Sequence, residues 1–401
     1  MSADVWRSLI SQIDDRNIGA NTPETITSGA NTPGASILSQ GKAPIDWSKV
    51  FHSADLTIDR FQLFGQEAKN MVLNMTGEDR AMVLNVNSDE LKGEMRIPYD
   101  LQIYPLELNL DRWELTSSDG GGQTDVDPRE IPAIKAFAKS VSFKDRKFGS
   151  VKLETTKIVE GLRLEQLMMK PRSTTILATG KWTIVGGEQK SDFELHLDSQ
   201  DLGETMDDLD YVGSISGGEG DIDVNVSWPG ALTNVDVEHL QGDIAINFKK
   251  GKLLAIDSGA GRIFGLFSLQ TLPKRLILDF SDLYEKGIVF NQIAGKFTIE
   301  DGDAYTSNFY LNGPAAKAQA AGRIGLASRD YDQLLTFTPQ TADIASLVGL
   351  LISTPWGFVL PQIFRENINK AMSFQYTLTG SWDNPELEPV IKPEPEDFFS
   401  E

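Results

Sequence analysis

"GDIDVNVSW" (220–228) is the stretch whose reading decides the fold. Ile222, Val224, Val226 and Trp228 take every second position, and Asp221, Asp223, Asn225 and Ser227 fill the gaps. Successive side chains of an extended strand point to opposite faces, so this segment has one apolar and one hydrated side. The same period recurs outward along the chain. "SDFELHLDS" (191–199) aligns Phe193, Leu195 and Leu197, and "GDIAINF" (242–248) aligns Ile244, Ile246 and Phe248. "RLILDF" (275–280) aligns Leu276, Leu278 and Phe280, and "MSFQYTLTG" (372–380) aligns Met372, Phe374, Tyr376 and Leu378.

Turn-forming residues separate these runs: Gly149, Gly161, Gly186 with Gly187, Gly251, "EDGD" (300–303) and "NGP" (312–314). On the order of twenty strands joined by short turns implies antiparallel neighbours and a mostly β fold. Two stretches carry a helical stripe instead, "IPAIKAFAKSV" (131–141) and "DLGETMDDLDYVG" (201–213), the latter through Leu202, Met206 and Leu209. Near the start, Val5, Leu9, Ile10 and Ile13 recur at helical spacing, which predicts a short amphipathic helix over 1–18. A Gly-, Pro- and Thr-rich linker follows over 19–48. No basic n-region followed by an apolar stretch marks a secretory signal.

Composition excludes several functions. The net charge of −21 argues against nucleic acid as a partner, because phosphate backbones are held by lysine and arginine clusters. It argues equally against a polybasic anchor on anionic lipid. The densest basic cluster, Lys249, Lys250 and Lys252, reads as a solvated hairpin turn. With no cysteine, disulfides and thiolate chemistry are ruled out.

Catalytic arrangements are scarce, and neither a cofactor nor a metal is expected. His52, His196 and His239 are far apart, and His196 alternates with Leu195 and Leu197 onto the hydrated face. "GSISG" (213–217) has isoleucine where a nucleophile elbow needs serine, and "GAGRIFG" (259–265) misplaces the third glycine of a dinucleotide fingerprint. The acidic runs at 117–127 and 201–210 lack the spacing of a calcium loop. An enzyme is therefore not expected.

"DIASLVGLLISTPWGFVLPQIF" (343–364) is apolar but interrupted by Pro355 and Pro361, so it does not read as a spanning helix. It fits a buried helical hairpin, or a segment that contacts a membrane through Leu347, Leu350, Leu351, Trp356, Phe358 and Phe364. This apolar helical segment extends over 341–371, followed by a closing strand over 372–390 and an acidic disordered tail over 391–401.

Longer strings carry a family likeness. The run from "LPKRLILDF" to "TFTPQ" (272–340) resembles the C-terminal region of YhdP-type proteins of the AsmA-like family. "SWPGALTNVDVEHLQGDIAINFKKGKLLAID" (227–257), "DPREIPAI" (127–134), "FGSVKLET" (148–155) and "GSWDNPELEPV" (380–390) are similar to it too. The resemblance implies a long curled antiparallel sheet over 49–340, forming an open apolar groove of AsmA-like type. It implies a periplasmic or envelope location, as the C-terminal part of an inner-membrane-anchored protein whose anchor is absent from this chain. The implied cargo is phospholipid, moved between inner and outer membranes. The implied partners are the membrane, at its outer-membrane end, and other envelope proteins. On this reading the aligned residues named above, Trp228 and Met372 apart, line the groove, and the 341–371 segment sits where lipid leaves.

Alternation alone fits a filled core as well as a lined groove. A structural envelope β-protein with a closed core and no lipid cargo is the alternative. In "AAKAQAAGRIGL" (315–326), Ala316, Ala318, Ala320 and Gly322 form a small-residue face with room either for a ligand or for a close-packed neighbour.

Overall fold

The computed structural model describes residues 53–63, 66–115, 126–144, 146–209, 211–254, 288–314, 316–340 and 373–390. The expected amphipathic helix, the linker, the 341–371 segment, the tail and the strand carrying Leu276, Leu278 and Phe280 lie outside these residues.

Eighteen described strands form one sheet. The first five are β1 (Ser53–Leu63), β2 (Gln66–Gly77), β3 (Ala81–Asn87), β4 (Leu91–Pro98) and β5 (Leu106–Leu115). They continue into β6 (Ile134–Phe143), β7 (Arg146–Ile158), β8 (Gly161–Lys170), β9 (Thr174–Val185) and β10 (Glu188–Ser199). A short helix, α1 (Leu202–Asp208), precedes β11 (Ile215–Pro229), β12 (Gln241–Leu253), β13 (Ile288–Glu300) and β14 (Asp303–Asn312). The last four strands are β15 (Ala316–Gly325), β16 (Asp330–Pro339), β17 (Phe374–Ser381) and β18 (Asn384–Pro389). Each strand pairs with the next one along the chain, and the sheet is not closed into a barrel. Every pairing is antiparallel except β5–β6, which is parallel and uses the long connection that a parallel step requires.

The hairpins follow turn chemistry. Asp301 and Gly302, both at positive φ, make the tight turn from β13 to β14, as Gly186 and Gly187 do from β9 to β10. Gly149 and Gly251, expected as spacers, lie instead inside β7 and β12. At Gly251 the reason is a close approach: a Cβ there would sit 2.4 Å from the Cζ of the Phe290 ring.

Two further expectations are corrected. Residues 134–143 form strand β6 rather than a helix. Lys249, Lys250 and Lys252 belong to the end of β12 rather than a turn. Lys250 takes positive φ and reaches Glu219 of β11 at 3.1 Å, with the pairing register unbroken on either side of it. The helical stripe at 201–213 is borne out by α1, whose N-cap Asp201 accepts from the Glu204 N–H at 3.2 Å. Leu202 and Met206 bury against β11, while Leu209 lies just past the helix end and is exposed.

Candidate functional site

Register places most of the sheet's apolar residues on one face. A single crosswise row runs Leu84–Met95–Leu108–Ala136–Leu153–Leu167–Ala178–Leu195–Val224–Ile244, one residue from each strand from β3 to β12. At about 4.8 Å per strand, those nine steps extend the row by roughly 43 Å. Its leucines, Met95, Val224 and Ile244 are half-exposed. Contacts between elements run essentially between consecutive strands and from α1 to β11 and β7, so among the described residues no second sheet covers this face.

The row then closes. Ile244 pairs with Phe297 of β13, and from there it continues through Phe309, Ala320 and Leu335, all buried. Phe297 and Phe309 pack at 5.5 Å between ring centroids. Beside them Phe290 is 0% exposed and Ile299 is 1% exposed, in the largest core cluster among the described residues. The small-residue face of β15 is explained here: Ala318 lies between Leu311 and Phe337, and Ala320 between Phe309 and Leu335. Absent side chains on β15 let large ones on both sides meet, which is close packing rather than a vacancy.

The structure brings the expected groove residues of β10, β11 and β12 together. Leu195, Val224 and Ile244 form one rung sequence, and Leu197, Ile222 and Ile246 the next. Phe193 opposes Gly180 and Val226, and its ring stacks on Trp228 at 5.8 Å. Leu197 and Phe248 are buried; the others of these three strands are half-exposed. Tyr376 and Leu378 share the face but lie across β13–β16 from that group, with Phe374 two residues from Tyr376 on β17. Leu276, Leu278 and Phe280, and all six membrane-contact residues, fall outside the described residues. Sequence reasoning missed the N-terminal half of the row, from Leu84 to Leu167, although each strand there alternates. It also missed Gln333, a polar side chain at an apolar position of β16.

The opposite face is charged and internally paired. His196 Nδ1 lies 2.6 Å from Asp223 Oδ1, as its hydrated-face parity requires. Lys139 donates to Asp111 at 2.7 Å and holds that carboxyl below its usual range. Arg323 bridges Asp303 at 2.9 Å and Asp330 at 2.8 Å, which raises the guanidinium pKa and lowers that of Asp330. The acidic residues around α1 have structural partners: Asp207 accepts from the Gly213 N–H and Asp208 binds Arg172. Among the described residues no cluster of three or more acidic or histidine side chains could hold a metal ion. Among them, too, no helix is long and apolar enough to cross a membrane.

No solved structure matches this chain. The intermembrane phospholipid transporter YhdP of Escherichia coli (strain K12) is 22% identical over 255 residues, covering 62% of this chain and 20% of that protein. The chain thus spans about a fifth of the length of the curated relative it matches. The YhdP protein family matches residues 1–387, nearly the whole sequence, and the chain belongs to that family.

Proposed function

We propose that this chain is a section of a conduit that carries phospholipid between the inner and outer membranes of a cell envelope, with acyl chains lying along the apolar face of the sheet. The observation that carries the reading is the half-exposed apolar row from β3 to β12, on which no second sheet is laid among the described residues. Exposing an acyl chain to water costs about 0.8 kcal/mol per methylene, so a 16-carbon chain costs roughly 12 kcal/mol. A continuous apolar trough offsets that cost and needs no catalytic group. The polar head group stays outside, in water.

On this reading Phe193, Leu195, Ile222, Val224, Val226, Ile244 and Ile246 contact lipid. The buried β13–β16 section behaves as a packed core, which is where the alternative of a closed structural β-protein draws its support. The phospholipid transport for which the Escherichia coli relative is named supports phospholipid as cargo. The 341–371 segment is proposed as the membrane-facing end, with envelope proteins as further partners.

The test is mass spectrometry of lipid bound to the chain after expression in the periplasm and mild purification. Stoichiometric phospholipid supports the conduit. A folded, lipid-free chain that also takes up no phospholipid from vesicles would replace it with the closed-core reading.

A further inference from the structure

The two outer strands of the sheet end it in different ways. Among the described residues β1 pairs only with β2, and β18 only with β17. An unpaired strand edge templates the addition of a further strand, and proteins blunt such edges where no addition is wanted. The β18 edge is blunted. Val390 donates to the Gln375 carbonyl at 2.9 Å, in register with the pairing of β18 on β17. Backbone groups alternate between the two sides of an antiparallel strand, so Glu386 and Glu388 bond β17 while Pro385, Leu387 and Pro389 face outward. The two prolines have no N–H to offer.

The β1 edge is open. This strand is 11 residues long and contains no proline. Glu78 donates to the Ala81 carbonyl at 2.9 Å in the register of β2 with β3, so Val72, Asn74 and Thr76 bond β3 and the residues between them bond β1. Met71, Leu73 and Met75 thus hold Ile58, Leu56 and Ala54, which leaves Ser53, Asp55 and Thr57 with N–H and C=O turned outward. The side chains are equally unfinished. Leu56 and Ile58 share the apolar face with Leu73 and Met71, yet Leu56 is 44% exposed and Ile58 half-exposed. On the hydrated face Asp55 and Asp59 are exposed. Asp55 accepts from Asn74 Nδ2 at 2.6 Å, and no cation faces it across β2.

We propose that the outer edge of β1 receives an extended strand from a partner protein, with apolar side chains on the face of Leu56 and lysine or arginine on the face of Asp55 and Asp59. Main-chain bonds to Ser53, Asp55 and Thr57 supply affinity, and the alternating side chains select the partner. The charge on this edge argues for a basic strand rather than a second copy of the chain. Pairing β1 with itself about Thr57 sets Asp55 opposite Asp59, and each copy brings a net charge of −21. The inference stands apart from the lipid reading, since it rests on backbone groups and charge alone.

The probe is a short fluorescent peptide that alternates valine with lysine, compared with a peptide of the same composition whose valines and lysines stand in separate blocks. Both are titrated into the full chain and into Thr57→Pro, with amide hydrogen exchange and sedimentation alongside. Thr57→Pro removes an outward N–H and leaves the β1–β2 bonds in place, so it should unfold near the parent's temperature. The parent is expected to bind the alternating peptide about tenfold more tightly than the block peptide, and to show slowed exchange over 53–57 when bound. Thr57→Pro is expected to lose that preference. Equal binding of the two peptides by the parent reduces the effect to bulk charge and overturns the proposal. A preference that survives in Thr57→Pro, with no protection over 53–57, assigns the peptide to another place and also overturns it. So does a parent that sediments as a dimer which Thr57→Pro dissociates, because the edge then belongs to a second copy. Binding of neither peptide shows that the edge is closed in the full chain and overturns the proposal as well. Exchange over 53–57 in the parent decides the matter if the variant does not fold.

Discussion

Val224→Glu puts a carboxylate in the middle of the half-exposed row. Val224 is flanked by Leu195 and Ile244 and lies outside the buried core cluster. The fold should tolerate the change: a half-buried valine contributes part of the roughly 1.5–3 kcal/mol of full burial, and strand propensities span about 1 kcal/mol. Stability is therefore expected to fall by about 1–2 kcal/mol. Lipid binding should suffer more. The carboxylate keeps its water and denies an acyl chain about one strand's width of contact, which is about four methylenes at 4.8 Å. At 0.8 kcal/mol each this is about 3 kcal/mol, or roughly a 200-fold loss of affinity. The assay is titration of the purified chain with a fluorescent phospholipid, with circular dichroism as the fold control. Thr179→Glu, on the hydrated face of β9, serves as the matched charge control and should bind as the parent does. A folded Val224→Glu chain that binds within about threefold of the parent would refute the assignment of this row to lipid.

Two further outcomes follow from the packed end and from burial. Phe290→Ala, at a side chain with no exposure, should cost about 3–5 kcal/mol, read as a drop in urea midpoint without loss of lipid from the distant β3–β12 row. Tyr331 is pushed up to about 12 by burial, above the ordinary tyrosine value of 10. Its contribution to stability is thus fully present below pH 10 and is lost as pH rises toward 12, at about 1.4 kcal/mol per pH unit. Urea midpoints across that window should fall for the parent and fall less for Tyr331→Phe.

The sheet was legible because alternation is a local property, carried by each strand without reference to its partners. What alternation could not carry was the third dimension. The segment 131–141 shows why: irregular pairing between Ala138 and Val141 turns a period of two into apolar spacings of four and three at Ile134, Ala138 and Val141. That spacing is the signature of a helix, and only pairing with β5 and β7 makes it a strand. The divide between the half-exposed row and the closed β13–β16 section was equally hidden. Leu195 and Phe297 look alike in sequence, and their exposure differs because their neighbours across the face differ. Gln333 did leave a trace, a carboxamide in an otherwise apolar period, "YDQLLTF" (331–337).

Consecutive pairing also shapes how such a sheet comes into being. When every strand rests on the one made just before it, most additions close only a short loop, and the growing edge can be laid down in the order of synthesis. The parallel step from β5 to β6 is the exception in direction. There the chain must travel back along the full length of a strand before the Leu106 N–H can bond the Ala133 carbonyl. It is the one joint among the described strands that no hairpin can make, and a natural place to divide the sheet in two.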